Sequence, residues 1–406
     1  MQPVRITIEG DFWDSQLYRD KLYLWTMEND LWMVDWSSVV ESFRRRLPKK
    51  ADLPLFWLFE SSDYLYTRAD RKALSDPAIR RQVEVRFRWL AKQNLTITET
   101  DLEKHGKRVA SPFPVLADDA DVYFNRFCAA TEQGLYSTRL EDDRSLQPPT
   151  KLWDGGANSL KIGTGGRIAL AASADGLYEV DAPTDKRDVQ WFEPHRVAEQ
   201  HVSFANWNHA CVFATSLLGP SYMAAYHWVE KGENEPKVRE FLRLIESNEI
   251  FETETDAGLT WGMGDKLYLL SENRLEIVGF VQKNLAEEAA EAFRTVSYQK
   301  LKLRSHGPAI GAGVTVFGTI IEYGDALVLL DSMGREHVLD GPVTRWRVFP
   351  RSIRYCNQVH VVGEEALTIN SFASDWFVEQ KQKRFGTRHS PRRPDDFSAE
   401  DLFSDF

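Results

Sequence analysis

The 406-residue chain has few cysteines, few histidines and no long apolar run. Its three cysteines, Cys128, Cys211 and Cys356, are odd in number and widely scattered. That excludes a disulfide-stapled secreted scaffold and fits a reducing compartment. No window approaches the eighteen or so apolar residues of a membrane-spanning helix. The opening "MQPVRITIEGDFW" holds no apolar core of signal-peptide length. A cytoplasmic location without membrane contact is expected.

Recognisable chemistry is equally scarce. The nearest metal-ligand group is His201, His209 and Cys211 with His195 upstream, whereas a tetrahedral zinc site wants two closely spaced pairs. On a strand, His209, Cys211 and Phe213 would share one side, the pattern of ordinary packing. "GTGGR" at 163–167 lacks the Lys-Ser/Thr ending of a phosphate loop and precedes a strand, so it reads as a turn between sheets. There is no Gly-x-Ser-x-Gly elbow and no cysteine with an obvious partner base. Acid pairs such as Asp30/Asp35, Glu179/Asp181 and Glu364/Glu365 are adjacent surface acids until a cleft sets them apart. No catalytic residue, metal or cofactor is assigned. The formal charge of −11 excludes a nucleic-acid wrapper built from the whole molecule.

What is present is repetition. "SADGLYEVDA" at 173–182 pivots on Asp175-Gly176 between two short apolar strands, and the same plan recurs. It is found in "KLYLWTMENDLWMVDW" (21–36), "DVYFNRFCAATEQGLYSTRL" (121–140), "DKLYLLSENRLEIVGF" (265–280), "GDALVLLDSMGREHVLD" (324–340) and "NQVHVVGEEALTINSF" (357–372). "HACVFATSLLGPSYMAAYHW" (209–228) is a weaker seventh copy. The pivots Asn29-Asp30, Gln133-Gly134, Asp175-Gly176, Asn273-Arg274 and Met333-Gly334 supply residues that tolerate the positive φ of tight hairpins. Gly134-Leu135-Tyr136 and Gly176-Leu177-Tyr178 stand 42 residues apart, a blade-like period. Strands such as 266–270 and 326–330 are apolar at odd and even positions alike, as sheets covered on both faces are.

On these hairpins and their spacing, residues 1–380 resemble a β-propeller in the broad WD40-like sense, without regular Trp-Asp endings. The resemblance implies an all-β fold of about seven blades, with loops forming a binding face and no particular chemistry. "PVRITIEG" alternates Val4, Ile6 and Ile8 with polar residues and is expected to close the ring beside the last hairpin. The alternative is a two-domain α+β protein with unrelated hairpins.

Two regions depart from the repeat. Residues 37–110 read as a partly helical insertion in or after the first blade. Ser37 and Ser38 serve as N-caps for a helix that stops at Pro48, and "LPLFWLFESSDYLYTR" (53–68) reads as a hairpin finishing the blade. A second helix has Asp76 as cap and Pro77 at its first position, with Ile79, Val83 and Trp89 or Leu90 inward. From Arg68 to Lys92 eight basic residues face three acidic ones. Arg44, Arg45, Arg46, Arg80, Arg81, Arg86 and Arg88 are therefore the candidate polyanion-binding residues. A solvated helix face is the plainer alternative.

Residues 381–406 read as a disordered tail, first basic and then acidic-aromatic. "DDFSAEDLFSDF" sets five carboxylates among Phe397, Leu402, Phe403 and Phe406. Its ending resembles the tail tips with which bacterial single-strand-binding proteins recruit partners. Phe397, Asp401, Leu402, Phe403 and Phe406 are its candidate partner-binding residues; a disordered solubilising tail, or one that docks on the chain's own basic insertion, is the plainer alternative. The whole points to a non-catalytic adaptor for another protein. A nucleic-acid-associated subunit and a hydrolase or lyase with a central-channel site are the alternatives.

Overall fold

The computed structural model describes residues 3–373 and 383–387, apart from 124, 142–144, 164–165, 182–193, 231–237, 254–257, 287–288, 302–306 and 342. The chain forms two compact units, one built from residues 1–111 with most of the chain after 313, the other from 112–305. Among the described residues seven sheets account for the strands, six antiparallel ones of four strands and a mixed one of five. In the six four-stranded sheets, neighbours along the chain are hydrogen-bonded neighbours in space. The fold class is all-β: a seven-bladed β-propeller with a helical insertion.

The second unit holds blades 2 to 5. Blade 2 comprises Asp119–Tyr123, Arg126–Thr131, Gly134–Arg139 and Thr150–Trp153, and blade 3 Ser159–Ile162, Arg167–Ala171, Leu177–Asp181 and His195–Ala198. Blade 4 comprises Phe204–Asn208, Cys211–Thr215, Tyr222–Val229 and Val238–Glu246. Blade 5 comprises Leu259–Met263, Lys266–Ser271, Arg274–Phe280 and Phe293–Lys300. The strand Cys211–Thr215 is buried along its whole length, while the outer strand Phe293–Lys300 alternates between half-buried and exposed. Second strands are covered on both faces and outer strands on one, hence the loss of alternation in the middle hairpins.

The first unit holds blade 1 (Phe12–Tyr18, Lys21–Thr26, Asp30–Asp35, Gly106–Ala110) and, apart from residues 310–312, blade 6 (Ala309–Val314, Gly318–Tyr323, Ala326–Asp331, Glu336–Asp340). Blade 7 is made from both ends of the described chain. Val4–Glu9 runs antiparallel to Ala366–Ser371, with Ile6 opposite Ile369 and Ile8 opposite Leu367. On its other side Thr7 and Ile8 pair in parallel with Thr96 and Ile97, so the N-terminal strand is internal rather than an edge. Its apolar residues Val4, Ile6 and Ile8 are buried, as the alternation of the sequence requires.

Six of the seven sequence hairpins are the second and third strands of their sheets, the weak copy at 209–228 included. The 324–340 copy is instead the third and fourth strands of blade 6. At the pivots, Asn29, Gly134, Gly176 and Gly334 have positive φ, but in blade 5 the left-handed residue is Glu272 rather than Asn273. "GTGGR" corrects too: it joins Ser159–Ile162 to Arg167–Ala171 within blade 3, closed by a Gly163 N–H to Arg167 carbonyl bond of 2.6 Å.

Residues 383–387 run along blade 6. The Arg384 N–H donates to the Ser332 carbonyl and the Thr387 N–H to the Thr315 carbonyl, both at 2.8 Å, and Phe385 is fully buried. Gly386 makes this possible. Its φ is +86°, and a Cβ would lie 2.9 Å from backbone atoms of Gly318, Thr315 and Val316. The proposed partner-binding residues Phe397, Asp401, Leu402, Phe403 and Phe406 lie outside the described residues.

Candidate interaction surfaces

The insertion leaves blade 1 between its third and fourth strands and contains α1 (Trp36–Arg46), α2 (Asp52–Leu55), α3 (Arg68–Leu74), α4 (Pro77–Leu90) and α5 (Glu99–His105). The α1 cap is Asp35, whose carboxylate accepts the Ser38 N–H at 2.9 Å, and not Ser37 or Ser38. "LPLFWLFESSDYLYTR" is helical rather than a hairpin: α2 continues into a π-turn at Phe56–Glu60 and a 3-10 turn at Ser62–Tyr66. Leu55, Leu58 and Phe59 are buried at helical spacing, and Trp36 Nε1 donates to the Phe59 carbonyl at 2.7 Å. On α4 the Asp76 cap holds, accepting the Ala78 N–H at 2.7 Å. Its inward stripe is Val83, Phe87 and Leu90, while Ile79 is 44% exposed.

The basic residues of the insertion are largely answered by its own acids. Arg44 pairs with Glu60 and lies 3.5 Å from Glu41, and Arg45 reaches Glu41 at 3.2 Å. Burial pushes the Glu60 carboxyl above its ordinary value against the pull of Arg44. Arg46 lies over the Phe43 ring at 4.6 Å. Along α4, Glu84 takes Arg80 at 3.0 Å and Arg88 at 3.6 Å. Arg81 and Arg86 have no ion pair among the described residues. At about 100° per residue, Arg80, Arg81 and Arg88 share one flank with Glu84 between them, and Arg86 falls on the other. The arginines of α4 do not make one continuous cationic stripe.

A second surface went unread in the sequence. The turn joining the middle strands of blade 4 is Ser216–Ser221, and Leu217, Leu218, Gly219 and Pro220 are all exposed, Leu218 to 82%. Here the backbone is pinned. The Leu217 N–H donates to Ser203 Oγ at 3.0 Å, the Leu218 N–H to Ser216 Oγ at 3.3 Å, and the Ser216 N–H to Ser221 Oγ at 3.0 Å. His201 Nδ1 lies 2.9 Å from Ser216 Oγ. The network continues into blade 3. Asn158 Nδ2 donates to the Ser203 carbonyl at 2.7 Å, and Ser173 Oγ to Asn158 Oδ1 at 3.2 Å, beside the Asp175-Gly176 pivot. The only sequence signal was four small or turn-forming residues flanking a Leu-Leu pair.

Other polar clusters are closed to solvent. Arg239, with a side chain 3% exposed, grips Glu179 through two bonds of 2.7 and 2.8 Å and donates to the Ala210 carbonyl at 2.6 Å. In the first unit Arg347 grips Asp14, and Ser15 Oγ lies 3.0 Å from Nδ1 of the fully buried His360. Cys128 and Cys211 are buried, and burial pushes their thiols up to about 12 and about 11. His209 and Cys211 belong to no metal-ligating group, and none of three or more His, Cys, Asp or Glu exists among the described residues. Among the same residues no helix is long and apolar enough to cross a membrane.

His360 gives the molecule a pH signature. Burial first, and the neighbouring Arg347 charge second, pull its pKa down to about 3. The unfolded chain takes up a proton near pH 6.5 that the folded chain refuses. Stability therefore falls as pH drops below about 6.5 and stops falling near pH 3, at about 1.4 kcal/mol per pH unit from this group. Urea unfolding at pH 6, 5 and 4 should show nearly that slope from this group, and His360→Asn should remove its share.

No family model matches the chain, and no curated protein matches it. Solved structures do. The β-propeller domain of Cps50 (Swd1) from Myceliophteria thermophila is 10% identical, with a TM-score of 0.38, covering 63% of this chain and 97% of that one. BBS1N, solved in complex with ARL6DN, is 8% identical with a TM-score of 0.49, covering 93% and 100%. The WD40 β-propeller domain of Doa1 is 8% identical with a TM-score of 0.35, covering 65% and 95%. The fold assignment itself rests on the strand pairing of the seven sheets.

Proposed function

We propose that the chain is a non-catalytic cytoplasmic scaffold that binds another protein through preformed surface loops. The observation that carries this is the 216–221 turn, an exposed Leu-Leu pair on a backbone held by side-chain hydrogen bonds. Exposed apolar side chains on an ordered loop lose little conformational entropy on binding, which is what an anchor needs. The helical insertion is a second platform and the acidic-aromatic stretch 395–406 a second recruiting element in this reading. Three buried cysteines, all free, support the cytoplasmic setting. Nucleic-acid binding through Arg44, Arg45, Arg46, Arg80, Arg81, Arg86 and Arg88 is the weaker reading, since Glu41, Glu60 and Glu84 already engage four of them.

The test is quantitative affinity capture with the full chain and its Leu217→Ser/Leu218→Ser variant. The substitutions touch exposed side chains only, so thermal stability should be retained while at least one protein bound by the parent is lost. An unchanged set of captured proteins would refute the loop as the anchor.

A further inference from the structure

Residues 383–387 sit on blade 6 in the manner of a bound peptide. They cross two turns at one end of the sheet, Thr315–Gly318 and Ser332–Arg335. The Arg384 N–H donates to the Ser332 carbonyl and the Thr387 N–H to the Thr315 carbonyl, both at 2.8 Å. Lys383 Nζ adds a bond of 3.2 Å to the Val316 carbonyl. In each of these bonds the segment donates and a turn carbonyl accepts. Between them the Phe385 side chain is fully buried. Gly386, at a φ of +86°, comes so close that a Cβ would lie 2.9 Å from the Thr315 and Val316 carbonyl oxygens.

Both turns are closed by bonds of their own. Thr315 donates through its N–H and its hydroxyl to the Gly318 carbonyl, at 2.8 and 3.0 Å, and its hydroxyl accepts the Phe317 N–H at 3.2 Å. In the other turn Asp331 Oδ1 accepts the Met333 and Arg335 N–H groups, each at 3.0 Å. The Asp331 carbonyl accepts the Gly334 N–H at 2.7 Å. A receptor that holds its own shape is separable from what fills it. We propose that these two turns form a peptide-binding site. Its ligand is an extended segment with a basic residue, an aromatic ring and a glycine in succession. Residues 383–387 are the resident copy, displaced by the same motif on a partner protein. The turn carbonyls take the ligand's N–H groups and its cation, the buried space takes the ring, and the close approach selects glycine after it. Nine residues lie between Ala373 and Lys383, so the tether holds the resident segment at an effective concentration on the order of millimolar. An interaction too weak for a free peptide therefore fills the site and leaves it open to competition. The site lies in the first unit and is independent of the Leu217-Leu218 turn in the second.

The probe is a fluorescent peptide of residues 381–389, followed by anisotropy. The full chain bearing Phe385→Ser and Gly386→Val, its resident segment disabled in place, should bind the peptide at least tenfold more tightly than the parent. Peptides carrying either change should bind that chain at least tenfold more weakly than the unaltered peptide. Equal affinity of parent and variant, or indifference to the glycine change, would overturn the proposal. A second measurement covers a variant that fails to fold: a protease site placed between Ala373 and Lys383 in the otherwise unaltered full chain, cut after folding. The released segment should separate in gel filtration from a body that stays folded and then takes up the peptide. A segment that stays bound, or a body that unfolds once cut, would make it a fixed part of the blade and overturn the proposal. So would concentration-dependent dimers of the parent in sedimentation, which would put the segment on a second copy.

Discussion

Replacing Arg239 by alanine is expected to destabilise the protein by about 3–5 kcal/mol, the usual cost of breaking a buried ion pair from one side. The Glu179 carboxylate, 8% exposed, would keep the Tyr226 hydroxyl and the more distant Arg167 at 3.6 Å, whose side chain is 41% exposed. The Ala210 carbonyl would lose its partner, and the Tyr226 ring would lose the guanidinium 3.2 Å from its centroid. Glu179→Leu combined with Arg239→Met should recover much of the loss, because no buried charge is then left alone. Urea midpoints at constant m-value would show both effects. A double variant no better than Arg239→Ala would mean that packing over Tyr226 and Trp207, not charge, holds blades 3 and 4 here.

Ile6→Asp should be more damaging still, to the point of little soluble protein. Ile6 is fully buried, between the strand Ala366–Ser371 and the short strand at Thr96–Ile97. A carboxylate there would be desolvated inside the apolar cluster that holds Ile6, and blade 7 needs this strand to satisfy the backbone on both its sides. Arg5→Ala, at the neighbouring position, gives up only its bond to Asn370 at 3.0 Å and should stay within about 1 kcal/mol of the parent. Soluble yield and thermal melting of the pair distinguish a register-dependent closing strand from a loosely attached end. Equal tolerance of both changes would contradict the pairing.

The blades were legible because strand, pivot and strand lie within some twenty residues and repeat. Even the weak copy at 209–228 proved to be the middle of blade 4, and Val4, Ile6 and Ile8 announced a closing strand by strict alternation. Errors gathered where tertiary contacts overrule local pattern. Residues 53–68 alternate enough to imitate a hairpin, but Trp36 and its Phe59 carbonyl partner draw them into helical turns. Asp35 ends a strand and caps α1 at once, which hid it behind Ser37 and Ser38. The arginines could be counted from the sequence but not paired, since Glu60 reaches Arg44 only after the insertion folds. The Leu217-Leu218 turn was invisible for a related reason. Its exposure depends on Ser203 and His201 from the preceding connection holding the backbone outward, and no local signal records that.

Amide hydrogen exchange at Leu217 and Leu218 in the free protein tests the preformed anchor most directly. Bonds to Ser203 and Ser216 hydroxyls should slow both amides well below the rate of an open chain, although their side chains face water. Exchange at the open-chain rate would mean that the loop is not held before binding, and the scaffold account built on it would fail.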